Sequence, residues 1–217
     1  MSDKADIRIM VGIPSAGMVP LMFAYSLAGM AARFASERVP TVPEASISMN
    51  LRMVQSSNWI TNREKLAKLA LTEDATHLMF LDDDMCFDPR VLETLLGRRQ
   101  QIVVTNYLIK TEPAKDFVSV DLHERRVPLT EGSTGIQPVN YSGFGVSLIN
   151  TDVFRALPQP WFQPRFDPKT DEYTTEDCPF FEAARKAGFV VYLDHDASKM
   201  LGHIGQKTWY WTEVKHG

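Results

Sequence analysis

Three adjacent aspartates, Asp82, Asp83 and Asp84, form the longest acidic run in this chain of 217 residues. They follow the apolar segment His77–Leu81, whose composition and length predict a buried β-strand. Three carboxylates this close together repel one another and raise one another's pKa, unless a divalent cation supplies the compensating charge. The run therefore predicts a metal site at the carboxyl edge of a sheet, where open α/β sheets bind ligands. The alternative is a solvated acidic turn that caps a helix beginning near Pro89.

A second acidic pair, Glu176 and Asp177, opens a helix that the sequence predicts from Thr174 to Gly188. The positive end of the helix dipole favours ionised carboxylates at this position. One interpretation gives the pair a chemical role. In the other, Thr174 or Thr175 caps the helix, and the acids only complement its dipole.

His203 lies between Gly202 and Gly205, and is the one histidine whose surroundings suggest a ligand. Glycines lack side chains, so they let the backbone and the imidazole approach a bound molecule closely. A structural role is the alternative, since a lone histidine more often serves packing than binding.

The first 105 residues alternate predicted strands with predicted helices, and the acidic run depends on that alternation for its position. The predicted segments are strand Ile7–Ile13, helix Met18–Glu37, strand Glu44–Met53, helix Ser57–Leu71, strand His77–Leu81, a short helix from Asp88-Pro89 through Leu96, and strand Gln101–Thr105. This order predicts an α/β fold with a mostly parallel central sheet and helices on both faces.

The second half, from residue 106 to residue 217, has α+β character. It contains a predicted strand Gly145–Ile149, a short helix after Thr151-Asp152, the helix that carries Asp177, and a strand Phe189–Leu193. The tail from Gly202 to Gly217 reads as a loop or lid. We expect one domain over residues 1–217, with a ligand-binding half (1–105) and a second, catalytic half (106–217).

Composition narrows the class of protein. The formal net charge of −4 and the sequence pI of about 5.7 argue against a protein that tracks a nucleic-acid backbone. No run approaches the roughly 20 apolar residues of a membrane span, and no secretory signal is evident. Cys86 and Cys178 show no metal-ligand spacing and fit two small, unbridged hydrophobic residues. We therefore expect a cytoplasmic protein, in the host cytoplasm if a phage encodes it.

Four stretches together resemble the GT-A glycosyltransferases, especially the small family-two-like enzymes of bacteria and their phages. The stretches are Val11–Ser15 (VGIPS), Thr76–Asp84 (THLMFLDDD), Ser142–Ile149 (SGFGVSLI) and Thr175–Phe181 (TEDCPFF), with Gly188 and His203 beyond them. They cover nearly the whole chain in the family's order. The resemblance implies a GT-A fold and transfer of a sugar from a nucleoside-diphosphate sugar, UDP rather than GDP, to an acceptor hydroxyl.

Carried over to this chain, the resemblance implies a role for each residue of the two acidic motifs. Asp84 would bind Mn²⁺ or Mg²⁺ together with His203, and Asp82 would contribute near the metal and the nucleoside. Asp83 lies between them in the nucleotide-sugar site. Asp177, with Glu176, would be the general base that deprotonates the acceptor.

Three further assignments each have a structural alternative. Pro14 and Ser15 match the strand end where the family holds the nucleobase, although a plain turn explains them as well. Arg63, next to Asn62, would reach the base or a phosphate, or lie on a solvated helix face. Gly143 suggests a close backbone approach to a sugar, or a bulged strand.

Two other functions remain open. A sugar nucleotidyltransferase usually has a glycine-rich, basic loop after its first strand, whereas this chain has PSAGM from Pro14 to Met18. A nucleotide-sugar-binding module without catalysis would not need Asp84, Asp177 and His203 together.

The identity of the acceptor is open as well: it is a glycan, or a hydroxymethylated DNA base. Lys110, Lys115, Arg125 and Arg126 form a basic strip of ordinary spacing.

Overall fold

The central sheet of the protein contains seven strands in the computed structural model, which describes residues 6–36, 45–168 and 171–213. Together with two smaller sheets, the described residues form these strands: β1 (Asp6–Ser15), β2 (Ser46–Gln55), β3 (His77–Leu81), β4 (Met85–Phe87), β5 (Ile102–Val104), β6 (Ile136–Pro138), β7 (Val146–Asn150), β8 (Phe166–Asp167), β9 (Glu172–Tyr173), β10 (Tyr192–Asp194), β11 (Leu201–Ile204) and β12 (Thr208–Tyr210). The central sheet has the order β2-β1-β3-β7-β5-β10-β6, and β12-β11-β4 form a second, smaller sheet.

The central sheet is mixed. β1 runs parallel to β2 and to β3, as the sequence predicts, and β10 runs parallel to β5. β7 lies antiparallel between β3 and β5, and β6 lies antiparallel to β10. The chain reaches β7 from β5 through a long segment that contains the short strand β6 but no helical crossover, and such a connection does not impose parallel pairing. The expected parallel character therefore holds for the first half and gives way to antiparallel pairing in the second.

Helices cover both faces of the sheet, as predicted. They are α1 (Leu21–Ser36), α2 (Trp59–Thr72), α3 (Val91–Gly97), α4 (Thr151–Ala156), α5 (Asp177–Lys186) and α6 (His195–Ser198), followed by a 3₁₀ turn at Trp211–Glu213. Alternate residues of β3 enter the two cores: Phe80 packs with α2, α4 and α5, and Met79 packs with α1 and α3. None of the helices in the described ranges is long and apolar enough to cross a membrane.

Several predicted boundaries shift, each for a local reason. α1 begins at Leu21, after a turn at residues 16–20, and not at Met18. α3 begins at Val91, because the Asp88-Pro89 pair forms a turn in which the Asp88 carbonyl accepts a hydrogen bond from the Val91 amide. The predicted limits Glu37 and Glu44 lie outside the described residues.

The tail that begins at Gly202 differs most from the structure that the sequence predicts. Residues predicted as a loop or lid form β11 and β12, and β11 pairs with β4 directly after the acidic run. Residues 214–217 of that prediction lie outside the described ranges. Both cysteines are free, as expected; Cys86 is buried and Cys178 is half-buried.

Candidate functional site

The acidic run lies at the carboxyl end of β3, beside the carboxyl end of β1. The Asp82 amide donates to the Gly145 carbonyl at 2.9 Å, and the Met85 amide closes a turn on the Asp82 carbonyl at 3.2 Å. β4 then begins at Met85, which pairs with His203 of β11. This pairing brings the histidine beside the acidic run, although the two are far apart in sequence.

Asp84 contacts two basic side chains. Its Oδ2 lies 2.5 Å from Lys110 Nζ and 3.4 Å from His203 Nε2. Burial raises the pKa of the Asp84 carboxyl, but His203 and Lys110 outweigh that effect and bring the pKa to about 2. Asp84 is therefore ionised at neutral pH. The sequence places Lys110 only in a basic strip, and no local pattern indicates that it reaches Asp84.

The His203 ring is oriented by its other nitrogen. Nδ1 lies 2.8 Å from the Leu108 carbonyl oxygen, which can only accept, so Nδ1 carries the proton. The Tyr107 ring packs edge-on against the imidazole with centroids 4.9 Å apart. The Leu108 carbonyl thus fixes the ring so that Nε2 faces Asp84. Metal-binding histidines are commonly held in this way, by a carbonyl on the opposite nitrogen.

Arg63 is buried, with 4% of its surface exposed, so the solvated helix face offered by the sequence is wrong. Nη1 and Nη2 each lie 2.9 Å from an oxygen of Asp82, and Nε donates to Glu176 at 3.0 Å. The guanidinium also lies over the rings of Phe80 and Phe144, at 5.3 and 4.9 Å from their centroids. Arg63 therefore holds the two acids in place, and its predicted contact with a base or phosphate stays a prediction.

The guanidinium of Arg63 stays protonated. Burial lowers the pKa of its guanidinium, but Asp82 and Glu176 raise it well above the ordinary value. A permanently charged guanidinium under two carboxylates fixes their orientation, because its planar fork accepts only a narrow range of geometries.

Of the three predicted metal ligands, the structure brings together Asp84 and His203, while Asp82 faces Arg63. Within the described residues, no group of three or more histidine, cysteine or acidic side chains is arranged to hold a metal. One ionised carboxylate and one imidazole nitrogen do suit Mn²⁺ or Mg²⁺ when a diphosphate and water complete the shell. The donor set is therefore chemically compatible with Mn²⁺ or Mg²⁺.

Asp83 turns toward the end of β1, where Pro14 and Ser15 are both buried. Burial raises the pKa of Asp83, while hydrogen bonds from the Ser15 hydroxyl and the Ala16 amide lower it, and the net shift is upward. The Asn62 amide group donates to the Ser15 carbonyl at 3.3 Å and so ties α2 to this corner. Pro14, Ser15 and Asp83 thus lie together at this corner, and their role in a nucleotide-sugar site stays a prediction.

Asp177 is the first residue of α5, and the predicted threonine cap is wrong. The Thr175 hydroxyl donates to Asp177 Oδ1, which also accepts from the Cys178 amide at 2.8 Å, while Thr174 Oγ1 accepts from the Arg165 amide. Burial raises the pKa of Asp177 and the neighbouring charge of Glu176 adds to it, against the hydrogen bond from Thr175. A raised pKa makes this carboxylate a better proton acceptor.

Gly143 makes room for a side chain of the protein itself. A Cβ added there would lie 2.0 Å from the Tyr107 hydroxyl oxygen, and one at Gly145 would lie 2.7 Å from the Tyr107 ring. The Gly145 amide donates to that hydroxyl at 3.1 Å. Burial, followed by the charges of Asp82 and Asp177, raises the pKa of Tyr107 well above its ordinary value. The phenol stays protonated beside the acids, a position that the sequence did not predict.

Comparison with known proteins gives the fold alone. No protein-family model and no curated protein matches this chain. Among solved structures, the crystal structure of A197 from STIV superposes with a TM-score of 0.58 at 19% sequence identity. The superposition covers 92% of this chain and 86% of that one. At this identity the likeness establishes a shared α/β architecture.

Proposed function

We propose that this protein is a cation-dependent glycosyltransferase of the GT-A type, moving a sugar from a nucleoside-diphosphate sugar, preferably a UDP-sugar, to an acceptor hydroxyl. The observation that carries the proposal is the pairing of ionised Asp84 with the directed Nε2 of His203, at the carboxyl edge where β1 and β3 end. Arg63 bridges Asp82 of the first acidic motif and Glu176 of the second, which supports a single site for both motifs.

The chemistry follows from the charges of the site. Asp177 accepts the proton of the acceptor hydroxyl, and the acceptor oxygen forms a bond to the anomeric carbon of the donor sugar. The bond from that carbon to the phosphate oxygen breaks, and its electron pair leaves with the nucleoside diphosphate. Lys110, beside Asp84, lies where it can offset the charge that develops on the phosphates. A bound Mn²⁺ or Mg²⁺ would supply Lewis-acid stabilisation at the same place, held by Asp84 and His203.

The first test is a thermal-shift measurement with UDP and Mn²⁺. A ligand at about 100 times its Kd adds roughly 2.7 kcal/mol to the folded state, so the melting temperature should rise by several degrees. GDP, ATP and UTP serve as comparisons. If no nucleoside diphosphate shifts the transition with any divalent cation, the donor site is wrong. A larger shift with a triphosphate would instead favour a sugar nucleotidyltransferase.

Two substitutions test the metal ligands. We expect Asp84→Asn and His203→Ala each to weaken Mn²⁺-dependent UDP binding by at least about tenfold, because a lost ligand weakens the metal before any chemistry occurs. Isothermal titration at limiting Mn²⁺ measures the effect. Asp88→Asn is the matched control, since Asp88 lies in the next turn and its carboxylate pairs with Arg90. Unchanged affinity in Asp84→Asn would remove Asp84 from the metal site.

A further inference from the structure

A cavity of about 730 Å³ lies beside Asp177, between α5, the β8–β9 hairpin and the segment around Tyr141. Thr174 and Cys178, which flank Asp177 in sequence, both line it. Its volume is within the roughly 300–1,000 Å³ typical of small-molecule sites. Burial, and after it Cys178 and Glu124, raise the pKa of Tyr141 in the cavity wall, and the charge of Asp177 adds a smaller contribution. The cavity and the proposed base therefore lie within electrostatic reach of each other.

The charges that line the cavity balance. Three are basic and three are acidic: Arg165, Arg185, Lys186, Glu124, Asp167 and Glu182. Glu182 pairs with both Arg165 and Lys186, so two of the three cations already share a carboxylate partner. A ligand with a phosphate backbone needs cations that are free to replace its counterions. This wall favours a neutral ligand with many hydroxyl groups.

An aromatic surface completes the wall. Phe166 lines the cavity with half of its surface exposed, and its ring packs edge-on against the exposed Tyr173 at 5.5 Å between centroids. The hairpin pairing of Phe166 with Tyr173 holds the two rings together. Polar groups of Asn140 and Thr174 lie in the same wall. An exposed ring beside hydrogen-bonding groups matches a pyranose, which has apolar C–H faces and polar edges.

We propose that this cavity is the acceptor site and that it takes a neutral saccharide, with a sugar ring stacked on Phe166 and its reactive hydroxyl toward Asp177. The inference rests on the proposed glycosyltransferase function only where it identifies the cavity as the acceptor site. The saccharide-binding cavity itself rests on the contacts and charges of its own wall.

Saturation-transfer NMR with cellobiose, lactose and maltose at millimolar concentration tests the cavity. A single-stranded oligonucleotide that contains 5-hydroxymethylcytosine is the competing ligand. We expect at least one disaccharide to bind the full-length protein, and Phe166→Ala to weaken it about fivefold, as loss of one stacking contact predicts. Tyr25→Ala, which removes an exposed aromatic ring on α1, is the matched control and should leave binding unchanged.

Each outcome decides the proposal. Absence of binding by all three disaccharides overturns it, as does disaccharide binding that Phe166→Ala leaves unaltered, or preferential binding of the oligonucleotide. UDP binding in the presence of Mn²⁺ is measured on the same samples. A normal UDP response without saccharide binding refutes only the acceptor site, whereas saccharide binding without a UDP response refutes the glycosyltransferase function and leaves a sugar-binding cavity.

Discussion

Asp177→Asn should lower sugar transfer by roughly 100- to 10,000-fold while nucleotide-sugar affinity stays within a few-fold of wild type, if Asp177 is the general base. Asparagine keeps the shape of the side chain and can still accept a hydrogen bond from the Cys178 amide, but it cannot take a proton. The loss therefore falls on kcat and not on donor binding. Steady-state kinetics with a UDP-sugar and an acceptor that binds the cavity measure it.

The control is Asp152→Asn, which removes an exposed carboxylate from the first turn of another helix, α4. Its rate should match wild type, since only the helix dipole and the exposed Arg155 lose a partner. The proton-acceptor role also predicts a pH profile. Since burial raises the pKa of Asp177, transfer should fall as the pH drops through that raised value, where the base becomes protonated. If Asp177→Asn transfers sugar at the wild-type rate, Glu176 and Asp177 serve only to start α5. A mechanism without a protein base would then be favoured.

Arg63→Ala should destabilise the protein by about 3–5 kcal/mol, because it leaves two acids of one site without their shared cation. Asp82 and Glu176 both depend on Arg63, and the rings of Phe80 and Phe144 would lose the guanidinium that covers them. Urea unfolding followed by circular dichroism measures the change. Arg63→Lys tests the geometry separately: it keeps the charge but cannot bridge Asp82 and Glu176 through a planar fork, so it should recover only part of the loss.

Arg90→Ala supplies the comparison for this experiment. Arg90 makes an equally short pair with Asp88, but its side chain is 59% exposed. Exposed pairs contribute little, so the free energy of unfolding should change by less than about 1 kcal/mol. Equal effects of the two substitutions would show that burial does not set the contribution of Arg63, and its positioning role would be lost.

The sequence determined the elements and the places where chemistry could occur. Apolar β3 followed by Asp82, Asp83 and Asp84 predicts the strand and the acidic edge together, because a buried strand is short, apolar and ends at polar residues. The spacing of apolar residues likewise predicts α1, α2 and α5 within a few residues. Both signals are local, and local patterns are what a sequence displays most directly.

Tertiary structure alone decided which groups meet. Helical periodicity shows that α2 has a buried face, but burial of Arg63 against Asp82 and Glu176 depends on how α5 docks on that face. Lys110 reaches Asp84 from an irregular segment. His203 reaches it because the tail forms β11 on β4 and is not a loop. Such contacts join residues far apart in the chain, and their geometry comes from the packing of the whole sheet, which no local pattern encodes.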